Sequence, residues 1–342
     1  MVNRHFLRQK VLQSLYAYYS SGAESIEKQE KFLFENIYKL YDLEIYLMAA
    51  VLEIRDLEEK RIEEAKNKFY PTEEERNPNM RFVNNAYLKR LGEHEELKKA
   101  IEKLHVNFVN DKTLLFTILQ HFRQSESYLD YMNKETNCFE DDRKIIVQLF
   151  KNYIIKNENL YEVLCEHGFT WECDYEYVCQ VVLQFLKTWL EDDYPQKTLP
   201  YPFDKSMEDT TENDREFVKN VFRNTINHGF EYESYIEKRS QNWDKERLAV
   251  IDVFIIKMAI TEFIYCPSIP IKVTLNEYIE LAKEFSTDKS RLFVNGVLDR
   301  IITDLRVDDK IHKEEEEDLL FFESNDELRE VYSHNFHIKD EK

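Results

Sequence analysis

Glycine and proline are scarce here: 342 residues contain 5 of one and 7 of the other. Strand-rich folds need many turns, so this scarcity points to long helices with short connections, an all-α chain. Gly22, Gly92, Gly168, Gly229 and Gly296 each stand alone, so neither G-x-x-x-x-G-K nor G-x-G-x-x-G is present. That excludes a P-loop and a Rossmann dinucleotide site. No apolar run reaches the roughly 18 residues of a membrane span, and "MVNRHFLRQKVLQSLYAYYS" lacks the apolar region of a secretory signal. Cysteine is present 5 times, an odd number without a regular framework, which fits reduced thiols in a cytoplasmic protein. There is no C-x-x-C and no H-E-x-x-H. Cys165, His167, Cys173 and Cys179 crowd together, but their spacing does not match structural zinc patterns. The expectation is no metal, no cofactor and no catalysis.

Apolar residues make up 43% and aromatics 14% of the chain, enough for a real core. A net charge of −20 disfavours a general nucleic-acid coat, because phosphate repels such a surface. The opening is locally basic, with Arg4, Arg8 and Lys10 preceding the first carboxylate, Glu24. Residues 4–19 read as a helix with Leu7, Val11 and Leu15 on one stripe. Arg4 and Arg8 share a different face, expected to be open to solvent. A long helix is expected over about 30–67, and further helices over about 80–134 and 141–190. The proline-bearing stretch 192–214 reads as a linker. A gapless shift of 72 residues lays 142–152 on 214–224, Trp171 on Trp243 and Pro195 on Pro267, a weak internal repeat. "RLAVIDVFIIKMAITEFI", 247–264, is apolar nearly all round and predicts a central buried helix. After Pro267 and Pro270, Thr274 with Glu277 has the spacing of a capping box. Thr287 or Asp288 is placed to cap a last helix through Leu305. Gly296 lies inside it, where a close helix contact would explain a residue costing about 1 kcal/mol against alanine.

"IPIKVTLNEYIELAKEF" followed by "FVNGVLDRI", preceded by "RLAVIDVFIIKMAITEF" and by "NRHFLRQKVLQSLYAYY" at the start, resembles the transcription antitermination factor NusB family. The resemblance implies a NusB-like helical bundle with an expanded helical N-terminal half. Residues 1–20 would be its basic first helix, 21–210 the expansion, 211–305 the C-terminal core and 306–342 a charged tail. It also implies a non-catalytic factor that binds boxA-like RNA with NusE, a small-subunit ribosomal protein, within RNA polymerase antitermination complexes. Carried over residue by residue, the RNA contacts would be Arg4, Arg8, Lys10, Lys289, Ser290, Arg291 and Phe293, with Asp252 near the partner. Leu292 stands where the family commonly has a basic residue. Beside these roles stand others: Arg4, Arg8 and Lys10 as a solvated helix face, Phe293 as core, and Asp252 as an exposed charge. At the level of the whole chain the alternative is a related protein-binding scaffold without RNA affinity.

Overall fold

The architecture comes from a computed structural model, which describes residues 2–22, 25–136, 138–168, 170–193, 197–203, 213–239 and 249–313. No strand occurs among the described residues. In chain order the helices are α1 (Arg4–Ser21), α2 (Ile26–Lys66), α3 (Glu73–Arg76), α4 (Ala86–Glu93), α5 (Glu95–Leu104), α6 (Lys112–Arg123), α7 (Glu126–Asn133) and α8 (Phe139–Leu149). They continue with α9 (Glu158–His167), α10 (Trp171–Thr188), α11 (Asp214–Asn227), α12 (Gly229–Arg239), α13 (Val250–Tyr265), α14 (Ile271–Phe285) and α15 (Asp288–Val307). The chain forms two compact units. Glu35–Pro202 is one, and Val2–Phe34 with Phe203–Lys342 is the other.

The terminal unit is built around α13. Phe254, Ile255, Met258, Ala259, Ile260 and Phe263 are all buried, which is why the segment is apolar on every side. Helix α1 packs on α11 and α13 through its expected stripe, with Leu7, Val11 and Leu15 at 0% exposure. Asn3 caps its start, accepting from the Phe6 N–H at 2.8 Å. Gly22 ends it at φ 61°, donating its N–H to the Tyr18 carbonyl, a left-handed cap that favours glycine. The first turns of α2 belong to this unit too. Glu30 takes a bidentate pair from Arg223 of α11, and Gln29 donates to the Ser14 hydroxyl of α1.

Two expectations here are corrected. Helix α14 starts at Ile271 with Pro270 as its N-cap, so Thr274 and Glu277 lie inside the helix and form no capping box. Proline fixes φ near the helical value and lacks an N–H, so it starts the helix a turn early. The Thr274 hydroxyl instead donates to Glu262 at 2.8 Å. Gly296 makes no close contact, since a Cβ there would meet nothing within 4 Å. Helix α15 is capped by Thr287, which accepts from the Ser290 N–H; the Asp288 side chain lies outside the described residues.

The inserted unit has more, shorter helices than the expected runs 80–134 and 141–190. Local caps divide it. Asn85, Ser125 and Asn157 each accept the N–H three residues on, satisfying donors a helix start leaves open. Buried Asp142 fixes the joint between α4, α7 and α8. Its carboxylate accepts from the Ala86 N–H at 2.7 Å and the Tyr131 hydroxyl at 2.6 Å. Trp171 of α10 donates to the Lys39 carbonyl of α2 and sits edge-on to Tyr46. The stretch expected as a linker, 192–214, lies partly outside the described residues, as do Pro195 and Trp243 of the repeat and most of the tail.

Candidate nucleic-acid interface

The seven residues expected to meet RNA do not lie on one basic strip. Arg8 is 2% exposed. Its Nε and Nη2 donate to the two oxygens of Glu262 at 2.8 and 2.7 Å, and Nη1 donates to Glu277 at 3.1 Å. Glu262, at 0% exposure, also accepts from the Thr274 hydroxyl and, at 3.0 Å, from the Tyr278 hydroxyl. Burial alone would lower the Arg8 pKa, but hydrogen bonding and the charge of Glu262 raise it above the ordinary guanidinium value. Burial and the same carboxylate push the Tyr278 hydroxyl well up. The expectation of a solvent-facing Arg8 is corrected: the residue pins α1 to α13 and α14. A buried carboxylate needs paired donors to stay charged, and Arg8 supplies a fork of them.

Lys10 is also buried, at 2% exposure, with its ammonium over the Phe6 ring. Arg4 keeps 35% of its side chain in water, donates to Asp214 at 2.8 Å and lies over Phe217. Phe293 is core, at 3% exposure among Val294, Val297 and Leu298. Asp252 is 3% exposed in the first turn of α13, not an exposed charge, and its Oδ1 has no hydrogen-bond partner.

The turn between α14 and α15 retains a different set. Lys289 is exposed and Arg291 half-buried. No ion pair joins either to a described residue. Ser290 is held by the Ser286 hydroxyl at 2.8 Å and the Thr287 hydroxyl at 3.0 Å. Leu292 stands 54% exposed beside them and Phe285 36%. Helix α1 reaches this end of α14 through residues that the sequence reading passed over. His5 meets Glu277 at 2.8 Å through Nδ1 and Glu284 at 3.2 Å through Nε2, and Gln9 donates to Glu284. An i, i+4 pair of polar residues on a helix was the available signal; it marks a shared face, not what that face meets. The interface thus carries two cations, a polar α1 edge and the carboxylates of Glu277, Glu280 and Glu284.

Among the described residues, no group of three or more His, Cys, Asp or Glu side chains is placed to hold a metal ion. No described helix is long and apolar enough to cross a membrane. All five cysteines are free thiols.

The NusB family model matches residues 176–303, a span that begins inside α10. Over 101 residues the chain is 37% identical to a transcription antitermination protein NusB of Natranaerobius thermophilus, covering 30% of this chain and 73% of that one. It is 40% identical over 99 residues to the NusB of Salinibacter ruber, covering 29% and 62%. The NusB of Chloroherpeton thalassium is 36% identical over 99 residues, covering 29% and 47%. No solved structure matches the chain.

Proposed function

The chain belongs to the NusB family, and from that membership and the geometry of its terminal unit we propose that it is a non-catalytic transcription antitermination factor acting in the cytoplasm. It binds boxA-like single-stranded RNA together with NusE, the small-subunit ribosomal protein, as part of an RNA polymerase antitermination complex. One observation carries the RNA claim: His5 and Gln9 bring the polar edge of α1 to the end of α14 that leads into the turn with Lys289 and Arg291, neither of which a described carboxylate neutralises. In this reading Lys289, Ser290, Arg291 and Arg4 touch the RNA, while Arg8, Lys10 and Phe293 hold the surface from inside. The unsatisfied Asp252 oxygen accepts a donor from the protein partner, because a buried acceptor without one costs about 1–3 kcal/mol.

The test is a titration of boxA-like RNA with and without the ribosomal protein. Lys289→Ala with Arg291→Ala should weaken RNA binding at least about a hundredfold, each charge-assisted contact contributing roughly 1.5 kcal/mol or more. The alternative scaffold is favoured by one observation, the carboxylates of Glu277, Glu280 and Glu284 along α14, the helix that leads into the turn. RNA affinity absent in both settings, with the ribosomal protein still bound, establishes the scaffold.

A further inference from the structure

The inserted unit holds a pocket of about 660 Å³ between α2 and α4, a volume within the range of small-molecule sites. Part of its lining is apolar. Leu52 comes from α2, Val83 from the turn before α4, and Gly92 from the last turn of α4. Glycine is disfavoured inside a helix, and Gly92 has no left-handed φ that would require it. A Cβ there would meet only Leu52, at 3.6 Å, so a longer side chain would take up pocket volume. The glycine keeps that space open.

The rest of the lining is charged, with Asp56, Glu59 and Glu93 set against Arg55 and Lys89. More acids than bases repel a nucleotide or other polyphosphate but admit a molecule of no net charge. Arg55 is already held by Asp56, at 2.7 Å. Lys89 and Glu93 are not held. They stand four apart on α4, a spacing at which side chains on one helix meet. Lys60 and Glu64, in the same order on α2, do pair, at 4.0 Å. Neither the Lys89 nor the Glu93 side chain pairs with any described residue. We infer that this pocket binds a small zwitterion with an apolar side chain, of the α-amino-acid class. Lys89 takes its carboxylate and Glu93 its ammonium, two opposite charges one helical turn apart. The ligand side chain lies against Leu52 and Val83 in the room that Gly92 leaves; Glu59, on α2, is not required. The site lies wholly within the unit Glu35–Pro202 and does not rest on the RNA reading.

Calorimetric titration of the full chain with leucine and with leucyl-leucine tests it. Two charge-assisted contacts and one covered side chain imply a dissociation constant on the order of a millimolar. Saturable binding of either ligand upholds the site, and the tighter of the two separates a free amino acid from a dipeptide. Lys89→Gln and Glu93→Gln should each weaken binding at least about tenfold. Their melting temperatures should not change, because both side chains are exposed and unpaired. Glu59→Gln should leave the affinity unchanged, and Gly92→Leu should abolish binding by filling the pocket. Where Gly92→Leu lowers the melting temperature, the glutamine variants alone decide. Glycine, with the charges but no side chain, should bind at least about tenfold more weakly than leucine. N-acetyl-leucine amide, with the side chain but neither charge, should lose at least as much. Heat of dilution alone from both ligands at tens of millimolar overturns the inference. Affinity unmoved by both Lys89→Gln and Glu93→Gln overturns it too, as does glycine binding as tightly as leucine.

Discussion

Arg8 carries its charge into the seam between α1, α13 and α14, where only Glu262 and Glu277 make that placement tolerable. Arg8→Ala leaves the Glu262 carboxylate at 0% exposure with two hydroxyl donors, and stranding a buried charge costs about 3–5 kcal/mol. Urea unfolding should show that loss. Arg4→Ala, removing a pair on a side chain 35% exposed, should cost under about 1 kcal/mol; equal losses at both positions would contradict this account. The sequence shows that two arginines four apart share a helix face. It does not show whether that face meets phosphate or a carboxylate 254 positions away, because such pairing is set by packing. The cysteines separate on similar grounds. Burial pushes the Cys179 and Cys266 thiols up to about 12, so little thiolate exists at neutral pH. Cys138 and Cys173 are exposed. Iodoacetamide at pH 7.5 should label the exposed pair first and reach Cys179 and Cys266 only after denaturation, as mass spectrometry of the labelled peptides will show.

Helices with one dominant stripe, or apolar all round as α13 is, were the legible elements. Helix α2 spans Ile26–Lys66 against the expected 30–67, and α13 and α15 lie close to their expected spans. Less legible were the breaks inside the inserted unit, where a capping asparagine or serine also reads as an ordinary polar helix residue until its neighbours are in place. Gly296 shows the reverse limit: helix propensity flagged it, but the close contact proposed for it is absent. Gly296→Ala should therefore raise stability by about 0.5–1 kcal/mol; a loss in thermal unfolding would mean the position needs glycine for another reason. In α2, Glu44 is 2% exposed with one carboxylate oxygen unpartnered, and burial pushes its pKa up to about 8. A folded-state value above the unfolded one of about 4.3 means the folded chain holds the proton more tightly between the two. Stability from this group is full below about pH 4 and declines as pH rises to about 8. Glu44→Gln should flatten the fall in unfolding free energy between pH 5 and 8 by on the order of 1–3 kcal/mol, and an unchanged pH profile would remove Glu44 as its source.

At the scale of the molecule, the ends of the chain assemble one unit while residues Glu35–Pro202 form another. The family motifs made the terminal unit recognisable, whereas the inserted unit offered periodicity alone. Burial within the terminal unit changes what its charges can do for RNA. Of five cations on α1 and the α14–α15 turn, Arg8 is committed to Glu262, Arg4 to Asp214, and Lys10 is buried over the Phe6 ring, which leaves Lys289 and Arg291. Each phosphate contact to single-stranded RNA contributes about −0.7 to the slope of log K against log salt. Two contacts predict a slope near −1.4, and about −2 if Arg4 exchanges Asp214 for phosphate; a value near −3 would require Arg8 to leave its pair. Lys289→Ala with Arg291→Ala should reduce the slope by about 1.4, to near zero, or to about −0.7 where Arg4 is engaged. Arg8→Ala should lower the melting temperature and leave the slope unchanged wherever the protein remains folded. Salt titrations run well below each variant's melting temperature separate these outcomes. A slope that flattens with Arg8→Ala but not with the turn variants would move the RNA contact from the α14–α15 turn to α1.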